Sequence, residues 1–277
     1  MGMRISTNVA SLNAQRSLAS NTREQQKSMA QISTGSRITK AGDDAAGLAI
    51  SEGLKSQVRS LGQASRNAND GISMIQTAEQ AMGEVSNIVT RLRELGIQAG
   101  SDTIGDAERG FIQKEVDSLK SEIQRVAEST TFGSRKLLNG TGGKLDIHVG
   151  TGANEKTDWI SYDSGMTNVT TSNLDIDDLD FSSKSGARSG LASLDKAQLA
   201  VNGSRANLGA MQNRLSSTVD VIGTTSENMS AANSRIRDTD IAASSSELAR
   251  NNVMLQGTTS ALAQANQLPQ LALKLLG

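Results

Sequence analysis

A chain of 277 residues without cysteine has neither a disulfide framework nor a thiolate metal site. Its 28 basic and 29 acidic side chains leave a net charge of -1, so no electrostatic attraction to nucleic acid or to an anionic membrane is expected. Only 2% of residues are aromatic, no apolar run approaches the ~20 residues of a membrane span, and the first residues lack the basic and apolar regions of a signal peptide, so closely packed helices of small side chains are expected.

Residues 4 to 32 carry a thin apolar stripe, Ile5, Val9, Leu12 and Ala19, followed by Met29 and Ile32, which predicts a helix too weakly apolar to stand alone. Thr34-Gly35-Ser36 breaks it, and Gly42-Asp43-Asp44 reads as a turn whose aspartates are able to cap the next helix. From about Asp44 to Gln98, Leu54, Leu61, Ala68, Ile75, Met82 and Val89 recur at seven-residue steps, flanked by Ala64, Gly71, Ala78, Val85 and Leu92. Such a seam predicts one long helix, roughly 75 Å at 1.5 Å per residue. Gly53, Gly62, Gly71 and Gly83 interrupt it, each costing on the order of 1 kcal/mol relative to alanine, so packing must hold the helix together. Gly100 to Gly105 is a turn. A shorter helix from about Asp106 to Ser129 is expected to return antiparallel, with Phe111, Ile112, Val116, Leu119, Ile123 and Val126 on one face.

Between Thr130 and Ser185 the period falls to two. Leu145, Ile147 and Val149 alternate with polar residues, as do Ile160 and Tyr162, which predicts a β-hairpin with a long loop. An acidic cluster follows at Asp175, Asp177, Asp178 and Asp180. From Gly186 to about Arg237 a second seam appears, Leu194, Val201, Leu208, Leu215, Ile222, Met229 and Ile236, with Ala197, Ser204, Met211, Thr218 and Thr225 beside it. A final amphipathic segment places Leu248, Leu255 and Leu262 in step, then Leu268, Leu271 and Leu275. The expected fold is mainly α: a long antiparallel helical rod, coiled-coil-like, with a small β-hairpin insert and a terminal helix pair. Residues 1–43 and 238–277 would form an inner terminal-helix domain, 44–132 and 186–237 the rod, and 133–185 its insert.

Catalytic chemistry finds little support. His148 is the sole histidine, on the polar side of a predicted strand, with no carboxylate or serine constellation near it in sequence. Gly140-Thr141-Gly142-Gly143-Lys144 partly matches a phosphate loop, but no glycine stands five places before Gly143 and Leu145 replaces the magnesium-binding hydroxyl. The aspartates from 175 to 180 lack the central glycine and closing glutamate of a calcium loop and read as a solvated surface. Asn139-Gly140-Thr141 and Asn168-Val169-Thr170 fit the glycosylation triplet at chance frequency. No enzyme, catalytic residue, metal or cofactor is expected. Periodicity alone fits a self-contained bundle and a polymer subunit equally well. The apolar faces of 4–32 and 240–276 have no place in the central bundle, so they are expected to pair with one another or with neighbouring molecules, and to be disordered when no partner is present.

The motifs at the two ends carry a family resemblance. Ile5-Ser6-Thr7-Asn8, Ser33-Thr34-Gly35-Ser36-Arg37-Ile38 and Asp43-Asp44-Ala45-Ala46-Gly47-Leu48-Ala49-Ile50 resemble the N-terminal region of bacterial flagellin. Arg66-Asn67-Ala68-Asn69-Asp70-Gly71-Ile72-Ser73, Ala206-Asn207-Leu208-Gly209-Ala210-Met211-Gln212-Asn213-Arg214-Leu215 and Ala263-Gln264-Ala265-Asn266-Gln267-Leu268-Pro269-Gln270 resemble later flagellin blocks, in the family's order. The resemblance implies a short flagellin lacking large outer domains, a structural subunit that polymerises with itself into the extracellular flagellar filament. It further implies export through the flagellar type III apparatus, a chaperone holding the C-terminal segment, and contacts with hook-associated and cap proteins. Assembly and chaperone residues would be Ile5, Val9, Leu12, Leu248, Leu255, Leu262, Leu268, Leu271 and Leu275. Arg91-Leu92-Arg93-Glu94-Leu95-Gly96-Ile97-Gln98 is similar to the family's site for a host Toll-like receptor, with Arg91 as the central cation, Leu95 as the apolar contact and Glu115 as a supporting acid. A departure stands at Gly96, where the pattern more often has alanine, and another at Thr90, where it has glutamine. A hook-filament junction protein, or a coiled-coil tethering or signalling module, is the alternative; self-polymerisation on salting out separates the first from a filament subunit.

Overall fold

The computed structural model describes residues 7–276, and side-chain burial for residues 7–267. In chain order its elements are α1 (Val9–Thr34), α2 (Ala45–Ala99), α3 (Asp106–Ser129), β1 (Thr131–Phe132), β2 (Arg135–Lys136), β3 (Lys144–His148), α4 (Glu155–Asp158), β4 (Trp159–Asp163), a 3-10 turn (Ser164–Thr167), α5 (Lys184–Arg237) and α6 (Ile241–Leu276). The fold is mainly α, and its strands form two antiparallel pairs. Contacts gather the chain into two compact units, residues 1–56 with 228–277, and residues 57–227.

Both seven-residue seams run into the core of the 57–227 unit. Ala68, Ile75, Met82 and Val89 of α2 and Leu194, Val201, Leu208 and Leu215 of α5 are each at most 1% exposed. Seven residues are just under two helical turns, so every step returns to the same face, and each buried leucine or isoleucine contributes about 1.5–3 kcal/mol. Polar pairs on the flanks fix the antiparallel register of α2 and α5. Gln198 Nε2 donates to Ser86 Oγ at 2.9 Å, Arg93 Nε donates to Asp195 Oδ1 at 2.8 Å, and Lys184 pairs with Asp102. From α3 the core receives Ile112, Val116, Ile123 and Ala127.

The expected apolar face of α3 needs one correction. Phe111 is 69% exposed, with the Lys114 ammonium 5.7 Å from its ring centroid. Arg109, three residues before Ile112, occupies the inward position instead and is buried. Its guanidinium closes the α2–α3 turn, donating to Ala99 O at 2.8 Å and Ser101 O at 2.9 Å while pairing with Asp106 at 2.6 Å. It satisfies carbonyls that the end of α2 leaves without intrahelical partners.

The segment between α3 and α5 lies over this core. β1 and β2 form a tight hairpin with Gly133 at φ 60, the left-handed conformation that glycine adopts without strain. β3 and β4 pair from Lys144↔Asp163 to His148↔Trp159. Tyr162 is 1% exposed and donates its hydroxyl to Leu137 O at 2.8 Å. Residues 170–181 follow α3: Gln124 Oε1 accepts from Thr171 N at 3.3 Å, Lys120 donates to Asp177 O, and Gln113 Oε1 accepts from Phe181 N at 2.6 Å. Leu174, Ile176, Leu179 and Phe181 therefore sink into the core, while the aspartates at 175, 177, 178 and 180 stay exposed.

In the other unit, α1 and α6 run antiparallel. Asn8 caps α1 by accepting from Ser11 N at 3.1 Å, and Gly35 closes it at φ 67. Two main-chain bonds, Arg37 N to Arg237 O at 2.6 Å and Thr239 N to Gly35 O at 3.0 Å, tie the loop after α1 to the residues between α5 and α6. Both aspartates of the predicted turn work. Asp43 Oδ2 gathers Thr39 N, Thr39 Oγ1 and Lys40 N, which holds its carboxyl below the usual range, chiefly through the Lys40 amide. Asp44 Oδ1 accepts from Gly47 N at 2.8 Å at the start of α2.

Candidate functional site

The faces that α1 and α6 turn toward each other mix apolar and polar side chains: half-buried Leu18 and Ile32 of α1 and Leu248, Leu255 and Leu262 of α6 stand in step with hydrogen-bonded serines and amides. Asn8 Nδ2 donates to Ala265 O at 2.8 Å, Ser11 Oγ to Asn266 Oδ1 at 2.8 Å, and Gln25 Nε2 to Asn252 Oδ1 at 2.6 Å. Asn251 Nδ2 reaches Ser28 Oγ at 3.4 Å. Among the described residues, Ser11, Ser28, Ser244 and Ala265 are the buried residues of these two helices, small enough to let the backbones approach. A second set of apolar side chains points outward. Val9 is 58% exposed, Leu12 45%, Met29 60%, Ile241 60%, Val253 68% and Met254 51%. Sequence reasoning placed the apolar stripe on this helix but missed Ser11, Gln25, Ser28, Asn251, Asn252 and Asn266, because hydroxyls and amides leave no mark in a hydrophobic pattern.

Of the expected assembly residues, Val9 and Leu12 thus lie on open surface, and Leu248, Leu255 and Leu262 are half-buried. Ile5 lies outside the described residues. Leu268, Leu271 and Leu275 belong to α6, but their side chains lie outside the described residues.

On the 57–227 unit, Arg91 and Glu115 meet. Arg91 Nε and Nη2 both donate to Glu115 Oε1, at 3.0 and 2.9 Å, and Nη1 donates to Glu94 Oε2 at 3.0 Å. The hydrogen bonding it donates to Glu115, followed by that to Glu94, raises the guanidinium pKa further above its ordinary value. Leu95, grouped with them in the sequence reading, is 2% exposed and belongs to the core. It occupies the inward side of α2, one turn beyond Arg91.

His148 is exposed, with Nε2 2.9 Å from Gly152 O and its ring edge-on to Trp159 at 5.7 Å. An open cleft of about 470 Å³ beside the hairpin is lined by Lys156, Asp158, Trp159, Arg214 and Val221 among others, and Asp158 there accepts the Asn154 N–H at 2.9 Å. Among the described residues, no group of three histidine, cysteine or carboxylate side chains is placed to hold a metal ion, and no helix is long and apolar enough to cross a membrane.

The chain matches the family described as bacterial flagellin N-terminal helical region over residues 5–142, and the bacterial flagellin C-terminal helical region over residues 191–276. It is 41% identical over 274 residues to the flagellin of Halalkalibacterium halodurans, covering 99% of this chain and 100% of that protein. It is 39% identical to Bacillus subtilis flagellin, covering 99% of this chain and 100% of that protein. To the flagellar filament 33 kDa core protein of Treponema phagedenis it is 38% identical, over 99% of this chain and 100% of that protein. Among solved structures, Bacillus cereus flagellin superimposes with a TM-score of 0.51 at 27% identity, over 61% of this chain and 94% of that one. A Vibrio parahaemolyticus protein described as flagellar hook-associated shares the fold, with a TM-score of 0.59 at 14% identity over 71% of this chain and 100% of that one.

Proposed function

The chain belongs to the bacterial flagellin family, and from that premise we propose that its terminal helices drive assembly through the apolar side chains they leave outside their own pairing. As a flagellin it is a structural protein and not an enzyme, a subunit that polymerises with copies of itself into the extracellular filament used for motility. The observation that carries the reading of the termini is a division of faces. α1 and α6 meet through Ser11, Gln25, Asn252 and Asn266, and keep Val9, Leu12, Val253 and Met254 outward. Each square ångström of such surface buried between subunits contributes about 25 cal/mol, so a few hundred Å² per contact stabilises a polymer by several kcal/mol. Deleting residues 1–32 or 245–277 should leave a helical monomer by circular dichroism that forms no filaments by electron microscopy. Filaments growing unimpaired from either truncation would refute the assignment.

Export through the flagellar type III apparatus, with a chaperone covering the C-terminal segment, fits the same surface: α6 offers an uncovered apolar face at Val253 and Met254. Contacts with hook-associated and cap proteins at the filament ends would draw on the same helices. For a host Toll-like receptor the matching surface is Arg91 with Glu115, whose side chains are 50% and 45% exposed. Arg91→Ala should lower receptor activation by soluble monomer at least about tenfold, equivalent to ~1.4 kcal/mol of binding. An unchanged dose response in a receptor reporter cell would remove this partner from the account.

A further inference from the structure

Two asparagines in the segment between α3 and α5 hold nearly the same local geometry. Asn139 Oδ1 accepts from Thr141 N at 3.0 Å and from Thr141 Oγ1 at 2.8 Å. Asn168 Oδ1 accepts from Thr170 N at 3.0 Å and from Thr170 Oγ1 at 2.9 Å. They differ at the next peptide nitrogen. Val169 N is occupied, donating to Leu138 O at 2.9 Å, and its side chain is branched at Cβ. Gly140 has no side chain, sits at φ 74, and its N–H has no acceptor among the described hydrogen bonds. The sequence holds a second Asn-Gly pair, Asn202-Gly203, inside α5, where helical geometry fixes the backbone and directs each amide to the carbonyl four residues back.

We propose that Asn139 is a site of spontaneous covalent modification, its side-chain amide converting to aspartate and isoaspartate through a cyclic imide. The Gly140 nitrogen, on losing its proton to hydroxide, attacks Asn139 Cγ; a new C–N bond forms, the water so produced returns a proton to Nδ2, and the Cγ–Nδ2 bond breaks, releasing Nδ2 as ammonia. Water then adds to either carbonyl of the five-membered imide and opens it, leaving a carboxylate on the side chain or, in the iso form, moving the main chain through the former side-chain carbon. The two donors of Thr141 face the oxygen on which negative charge develops during the attack, the arrangement by which preorganised hydrogen bonds stabilise an oxyanion. Glycine removes the steric shield that Val169 provides at the otherwise equivalent turn. The product gains one negative charge at a crowded place, since a Cβ built on Gly140 would meet Asn168 Nδ2 at 2.8 Å.

The three asparagines form an internal comparison that needs no substitution. The full-length chain is incubated at mildly alkaline pH and digested with trypsin, and Asp and isoAsp are quantified by mass spectrometry and by isoaspartyl methyltransferase labelling at residues 139, 168 and 202. In the folded protein Asn139 is expected to convert at least about tenfold faster than either of the others, a difference of ~1.4 kcal/mol in barrier. In denaturant the two Asn-Gly sites should converge while Asn168 stays slow. Folded protein in which Asn139 converts no faster than Asn202, or no faster than Asn168, overturns the proposal, and neither result bears on whether the chain polymerises.

Discussion

Ser11 on α1 donates its hydroxyl hydrogen to Asn266 on α6 at 2.8 Å, joining residues separated by 255 positions in the chain. A neutral hydrogen bond of this sort contributes about 0.5–1.5 kcal/mol net, and leaving the partner unsatisfied costs more when water cannot replace it.

Ser11→Ala should therefore loosen the α1–α6 pair by about 1 kcal/mol and leave the 57–227 unit unchanged. Amide exchange on monomer measures this directly: protection should fall about fivefold in α1 and α6 and stay constant in the core stretches of α2 and α5. Equal loss throughout the chain would mean that the two units do not open separately.

Placing charge on the outward face tests assembly without touching the polar seam. Val253→Asp and Met254→Asp change side chains that are 68% and 51% exposed, so the monomer should keep its helicity. The critical concentration for polymerisation should rise at least tenfold for each, or ~1.4 kcal/mol per subunit. Sedimentation of filaments across a concentration series reads the shift.

Two glycines of α2 should respond in opposite directions to the same substitution. A Cβ at Gly71 would approach Ile147 Cδ1 to 2.6 Å and Leu215 Cδ1 to 3.3 Å, whereas a Cβ at Gly83 meets nothing within 4 Å. Gly83→Ala should gain about 1 kcal/mol from helix propensity. At Gly71→Ala that gain is outweighed by crowding of about 1–3 kcal/mol, giving a net loss on the order of 1 kcal/mol. Thermal unfolding of the two variants should bracket the parent protein.

The seven-residue steps through Ile75 and Met82, and through Val201 and Leu208, marked the core stripes of α2 and α5 correctly because a long apolar seam has only one periodic interpretation. At Phe111 hydrophobicity misled: the inward place on α3 goes to Arg109, which the unpaired carbonyls of Ala99 and Ser101 require. The short β1–β2 hairpin had a signal in Gly133-Ser134 between two-residue strands, but it is too brief for alternation to register. Leu95 entered the receptor group by family analogy, and only the helix phase beside Leu92 and Ala99 shows it pointing inward. Leu248, Leu255 and Leu262 marked part of the α1–α6 seam, but its serines, asparagines and glutamine were illegible because such residues are those expected on a solvated surface.

Tyr162, the single tyrosine, supplies an alkaline test. Burial raises its phenol pKa above 10.0, outweighing the hydrogen bond with Thr167. The unfolded chain therefore releases this proton first, and the phenol's contribution to stability is complete below about pH 10 and lost as pH rises through the higher folded value. Tyr162→Phe removes that steepness and costs about 1 kcal/mol at neutral pH, since Thr167 Oγ1 still donates to Leu137 O at 3.0 Å. Denaturant titrations at pH 8 and pH 11 should show the parent losing more stability between them than the variant does.

The contrast between the two helix pairings sets how the molecule behaves before it joins anything. Water substitutes readily for a serine hydroxyl or an asparagine amide, so parting α1 from α6 exposes only side chains that are half-buried or polar, with Ala265 the buried apolar residue among those described. Parting α2 from α5 uncovers Ile75, Met82 and Leu208 together, a far steeper climb. The core of the 57–227 unit is thus the durable part of the chain, and the α1–α6 pair the part that yields first.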